Sequence, residues 1–151
     1  MTIRKLTIED VNQYENKILD LFEQLVGANF PANLDLQAYI QSKPDEMRKY
    51  IENGTAIIFG SFRHDDLTGF IWGYKKDYFG EFRIHVAHAV VDKSVRNSTA
   101  LVGLAFKMRN EAKALGAASV ECMATFENEK LVEHYQRIGF EIERVSLVMP
   151  L

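Results

Sequence analysis

Apolar residues in the first third of the chain recur at helical spacing. Val11, Tyr14, Ile18, Leu21, Phe22 and Leu25 fall on one helix face. Thr7-Ile8-Glu9-Asp10 opens that helix as a capping box, and Gly27 ends it. Ahead of it, residues 1–6 read as an edge strand rather than a signal peptide. A loop with Pro31 leads to a helical segment at 36–40, and Pro44-Asp45-Glu46 starts a further helix. Proline suits a first turn, and the acids suit the positive end of the helix dipole. Asn53-Gly54 closes it.

The pattern then changes to strands. Residues 55–62 and 68–76 form a hairpin across Arg63-His64-Asp65-Asp66, and Tyr78-Phe79-Gly80 turns the chain into a central strand at 82–91. Leu101, Leu104, Ala105, Met108, Ala112 and Leu115 mark a helix that stops at Gly116. A short strand at 119–124, a helix at 128–137 and closing β structure at 140–149 complete the chain. The predicted order, β-α-α-β-β-β-α-β-α-β(β), is an α/β arrangement with one mixed sheet. Pairing is parallel where a helix intervenes and antiparallel at hairpins. At 151 residues, one domain over 1–151 is the simplest division.

Composition narrows the classes of function. A net charge of −3 leaves no basic footprint for nucleic acid. The single Cys122 excludes an internal disulfide and supplies no metal cluster, which four scattered histidines do not repair. No apolar run approaches the roughly 20 residues of a membrane helix. The expectation is a soluble, cytoplasmic protein with no membrane partner.

The candidate chemistry lies downstream. Asn128 and Tyr135 stand two helical turns apart on one face, and Gly139-Phe140 follows. That order, placed after a strand, a helix and a second strand, resembles the C-terminal half of the GNAT-type acyl-CoA N-acyltransferases. Upstream, the family carries Arg or Gln, two residues, Gly, one residue, then Gly or Ala, at a helix start after a strand ending in Val. Val91 and Arg96 match that run. Thr99 and Leu101 stand where the glycines belong, and Gly103 is out of register. Backbone amides at a helix N-terminus hold phosphate through converging N–H groups and the dipole. Thr99 in ordinary helical geometry presents the same amide plus a hydroxyl, with Asn97 or Ser98 as N-cap. Taken alone, Asn97-Ser98-Thr99 is merely a helix start.

The resemblance implies a fold and a set of roles. The GNAT-like fold spans the whole chain. The acetyl-CoA arm enters between strands 82–91 and 119–124 and pairs with open backbone at Ala89 and Val91. Its phosphates lie over Arg96, Asn97, Ser98, Thr99, Ala100 and Leu101, and Asn128 contacts the arm while capping its helix. Tyr135 is the acid that protonates the leaving thiolate, since a phenol with a pKa near 10 stays protonated at neutral pH. His85 falls where some members keep a base, and an imidazole with a pKa near 6.5 suits that task. His88 lies on the opposite strand face unless a bulge swaps the parity, and Glu81 is a third candidate. Each residue also has a plain structural reading: Tyr135 in a core with Leu131 and Ile138, His85 as a packed strand histidine, and Ala87, Ala89 and Val91 as a buried strand. Trp72, Tyr74, Tyr78 and Phe79 either line an acceptor pocket or divide between core and sheet edge. Cys122, in an apolar strand, has a raised pKa and is no nucleophile.

The expected function is direct transfer of an acetyl group from acetyl-CoA to a primary amine of a small molecule or peptide, without a metal. Two alternatives stay open: a larger acyl group, and a non-catalytic domain acting through protein contacts. The strand at 146–149 offers a surface for a homodimer.

Overall fold

The computed structural model describes residues 1–30, 33–95, 99–125 and 128–151. Five strands make one sheet in the order β1 (Thr2–Lys5), β2 (Ile57–Arg63), β3 (Asp66–Tyr78), β4 (Glu81–Val91) and β5 (Val120–Cys122). The first four pair antiparallel in sequence order, and β5 joins β4 in parallel after a helical crossover. The mixed sheet follows the predicted order through the strand at 119–124. Both hairpin turns place non-glycine residues at positive φ: His64 and Asp65 at 51° and 66°, and Phe79 at 48° before Gly80. Successive left-handed residues match the twist of the flanking strands.

Three helices cover one face: α1 (Ile8–Gln13), α2 (Glu15–Asn29) and α3 (Gln37–Glu52). Their fully buried Val11, Ile18, Leu21, Phe22 and Met47 pack on Ile58, Leu67, Phe70 and Trp72. The other face takes α4 (Ala100–Leu115), whose Leu104, Met108 and Ala112 meet Phe59, Ile71, Ile84 and Val86. The final helix is α5 (Glu129–Ile138). Gly69 lets β3 and β4 approach closely, because a Cβ there would stand 2.6 Å from the Val90 carbonyl oxygen. Gly69 pairs with Val91, at the end of β4 from which the chain leaves toward α4.

Several element boundaries differ from the sequence reading. The first helical run is two helices, broken at Tyr14, and the second passes Gly27 to end at Asn29. Thr7 and Asp10 do form the capping box, and the Asp10 carboxylate also takes both Arg4 guanidinium nitrogens at 2.6 and 2.7 Å. Pro44 does not begin a helix. It lies buried inside α3, where Ile40 and Met47 on either side bury against the same core and outweigh the hydrogen bond proline forfeits. Residues 140–149 form no β structure. β5 has only three residues to offer as a template, and Ile142, Leu147 and Met149 remain exposed.

Candidate active site

β4 is the strand that organises the site. It pairs with β5 only through Ile84, His85 and Val86, while β4 itself runs on to Val91. The Asp92 N–H donates to the Thr68 carbonyl at 2.8 Å, so Asp92 faces β3. Strand alternation then turns the backbone polar groups of Val91 and Ala89 to the side that β5 does not reach. Ala87 is exposed and Ala89 half-buried. An open strand edge beside a parting neighbour is a place where an extended, amide-containing chain can pair.

Ala87 is a bulge: Trp72 pairs with His88 and Gly73 with Val86, leaving Ala87 over. Ile84 and Val86 therefore join the α4-side core before the bulge, and Ala89 and Val91 join it after. This swap brings His85 and His88 to the same face. The expectation that they lie on opposite faces is corrected, by the bulge foreseen as its exception.

His85 is buried, and its Nδ1 lies 3.2 Å from Oε2 of Glu121, its partner in the parallel register. The Tyr74 ring packs against it with centroids 5.2 Å apart. Glu121 was not singled out from sequence; only the β4–β5 register identifies it. His88 is held edge-on by Phe22 and Trp72, at 5.2 and 5.3 Å. Burial, with the Lys43 ammonium nearby, lowers its pKa to about 4. Glu81, the third candidate, is exposed at the outer end of β4.

A cavity of about 940 Å³ reaches Ala87 and His88 from the β2 side and is walled by Tyr50, Ile58, Trp72 and Tyr74. Trp72 and Tyr74 thus line a pocket. Phe79 is exposed at the hairpin tip, and Tyr78 packs under the Arg83 guanidinium at 3.5 Å.

At the far end of β4 the chain turns through a 3-10 segment (Lys93–Val95) toward α4. Arg96, Asn97 and Ser98 lie outside the described residues. Thr99 is the N-cap of α4, without a side-chain capping bond, and Leu101 follows in the first turn. The first turn of a helix carries amides with no carbonyl partner in the helix itself, which suits an anion. Gly103 serves packing instead, facing Ile3 of β1. The entry to this loop is clamped. Asp92 accepts the Ser94 N–H at 2.8 Å and pairs with Lys17 of α2. Burial pushes the Asp92 carboxyl up, but Lys17 and Ser94 outweigh it and hold it well below the usual carboxylate range.

Asn128 caps α5, accepting the Leu131 N–H at 3.4 Å. Tyr135, two turns on, is 8% exposed, and its ring meets Phe140 edge-on at 5.3 Å. Burial, and then the neighbouring Cys122 thiol, raise its phenol well above the ordinary range. Tyr135 thus sits by the last residue of β5, where β4 and β5 part.

Cys122 behaves as its surroundings dictate. Burial, and then Glu121, push its thiol up to about 11. In the folded protein at pH 7.5, we expect it to react with a thiol reagent roughly 100-fold more slowly than a free cysteine. Labelling at the free-thiol rate before denaturant is added would contradict this.

Among the described residues no group of three or more potential metal ligands comes together, and no helix is long and apolar enough to cross a membrane.

The architecture recurs in solved structures. A probable acetyltransferase is 17% identical with a TM-score of 0.81, the match covering 100% of this chain and 98% of that one. An aminoglycoside acetyltransferase from an uncultured soil metagenomic sample is 18% identical with a TM-score of 0.77, covering 99% and 97%. Glucosamine-6-phosphate N-acetyltransferase from Arabidopsis thaliana is 16% identical with a TM-score of 0.73, again covering 99% and 97%. No protein-family model matches the sequence, and no curated protein matches it. An open-edged β4 parting from β5, a helix start beyond it and a matched architecture along the whole chain agree on one point: this chain has the fold of the GNAT acetyltransferases.

Proposed function

We propose that the protein transfers an acetyl group from acetyl-CoA directly to a primary amine. The observation that carries this reading is the edge of β4 from 87 to 91, which takes no strand partner among the described residues and lies ahead of the N-terminus of a 16-residue helix. Ala89 and Val91 pair with the amide-bearing arm of the cosubstrate. Thr99, Leu101 and the residues before them take its phosphates, and Asn128 borders the arm where α5 begins.

The acceptor enters through the cavity that ends at Ala87 and His88. Its nitrogen forms the new C–N bond as the C–S bond breaks. His85 takes the proton that the amine loses; it lies behind Tyr74, a wall of the cavity, so a water carries that proton across. Tyr135 donates its O–H to the departing sulfur. A phenol raised this far yields its proton reluctantly, so its help lies in the hydrogen bond rather than in full transfer. The unreactive setting of Cys122 favours direct transfer over an acyl-enzyme.

Calorimetric titration with acetyl-CoA, followed by a panel of amines scored by free-thiol release, tests the reading. Binding is expected despite Thr99 and Leu101, and Arg96→Ala is expected to weaken it about tenfold by removing a charge-assisted contact. A wild type that gives neither heat nor a thermal shift with millimolar acetyl-CoA points instead to a non-catalytic domain acting through protein contacts. His85→Gln should abolish any acidic limb of the pH–rate profile, because a base accepts a proton only in its neutral form. His88 titrates too low to produce such a limb. An acidic limb that persists in His85→Gln removes His85 from the role.

A further inference from the structure

We propose that Glu121 is a positioning residue: its carboxylate holds the His85 imidazole with the proton on Nδ1, leaving the Nε2 lone pair to accept the amine proton. The inference rests on the reading of His85 as base. It adds a residue, a tautomer and a direction of proton flow to that reading.

The geometry is specific. His85 and Glu121 are paired across the β4–β5 ladder, in the middle of its three-residue parallel register. Directly paired residues project from the same face, so the backbone itself sets the imidazole and the carboxylate side by side. Nδ1 and Oε2 are 3.2 Å apart. An ionised carboxylate can only accept, so a hydrogen bond here requires the proton on Nδ1. With Nδ1 occupied, the neutral ring has one lone pair left, on Nε2. The ring is buried and packed against Tyr74, which limits its freedom to turn over.

Other charged groups surround the pair. Lys76 of β3 places its ammonium 3.7 Å from the same Oε2. On the same face of β4, His88 is neutral at ordinary pH, and Lys43 and Glu46 of α3 act on His88 from beyond it. Lys76 is half-exposed, so solvent screens its pull, whereas the His85 ring is enclosed. Orienting a base through its second nitrogen is the role a buried carboxylate plays in a Ser-His-Asp triad, where a wrong tautomer severely damages turnover.

The test reads the tautomer and the turnover separately. In protein labelled with nitrogen-15 at histidine, long-range proton–nitrogen correlation at pH 8 should show His85 protonated at Nδ1. Glu121→Met, which keeps side-chain length but removes the acceptor, should move the proton predominantly to Nε2. In the acetyl-transfer assay the same variant should lose about 10-fold in kcat with KM for acetyl-CoA unchanged, and Glu121→Asp should recover part of the loss. A wild-type His85 protonated at Nε2 overturns the proposal without any variant. So does a tautomer unchanged in Glu121→Met, or a switched tautomer with full kcat. If no amine is acetylated by the wild type while the tautomer switch occurs as expected, the functional reading fails and the hydrogen-bond assignment stands.

Discussion

Tyr135→Phe is expected to cut acetyl transfer about 10- to 100-fold while leaving acetyl-CoA affinity and melting temperature near wild type. The substitution keeps the ring, so the edge-on contact with Phe140 and the burial of the side chain survive. Only the hydroxyl is lost, at the position where β5 ends and the leaving sulfur would lie. The size of the loss reports on mechanism. A thiolate whose acid has a pKa near 8.5 departs tolerably well unaided, which caps what any acid can contribute. The raised phenol caps it further, because a full proton transfer from Tyr135 to that sulfur runs uphill. Single-turnover kinetics with a reactive amine check the prediction under chemistry-limited conditions. A Tyr135→Phe enzyme that turns over at the wild-type rate there reduces Tyr135 to a core residue.

The legible part of this molecule is the part where one periodicity decides. The α4 stripe Leu104, Ala105, Met108 and Ala112 is buried as its helical spacing requires. The β2–β3–β4 meander follows from alternating apolar runs separated by turn residues. What pattern reading misses comes from tertiary context. Pro44 looks like a helix start because its propensity is local, whereas Ile40 and Met47, which bury on either side of it, decide the outcome. Residues 140–149 read as a strand but form no backbone ladder among the described residues, and Glu143 instead takes both Arg83 guanidinium nitrogens at 2.6 and 2.8 Å.

The site divides the same way. Tyr135 and Asn128 can be related from sequence because both belong to one helix, where seven residues fix their spacing. His85 can be nominated by counting along one strand. Its partnership with Glu121 cannot be read this way, because it depends on the register of two strands separated by a whole helix. The Lys17–Asp92 clamp joins α2 to the end of β4 and is equally invisible to spacing. It also bears on the missing glycines: the segment leaving β4 is tied down at Asp92 by Lys17, Ser94 and Thr68. Thr99 itself has a φ of −81°, so the proposed phosphate site needs no glycine there.

Acidification should destabilise the protein well before its carboxylates protonate, and His88 is the cause. Its folded-state pKa is held near 4 against 6.5 for the free side chain, first by burial and then by the Lys43 charge. Above about pH 6.5 the group is neutral in both folded and unfolded chains and contributes no pH dependence. As pH falls from 6.5 toward 4 the unfolded chain binds a proton that the folded chain refuses, so stability declines through that window and levels off below it. The full penalty is about 3 kcal/mol, a large share of the 5–15 kcal/mol typical of a folded domain. The Asp10 carboxyl, held at about 2 chiefly by Arg4, adds its own loss only below the ordinary value of 3.8, so the two effects separate on the pH axis. Urea denaturation of wild type and His88→Gln at a series of pH values between 7 and 4 measures the His88 contribution. The variant should show a flatter profile across that range, with the two curves drawing together as pH falls. Parallel curves, with the wild-type decline intact in His88→Gln, would show that some other group supplies the acid sensitivity.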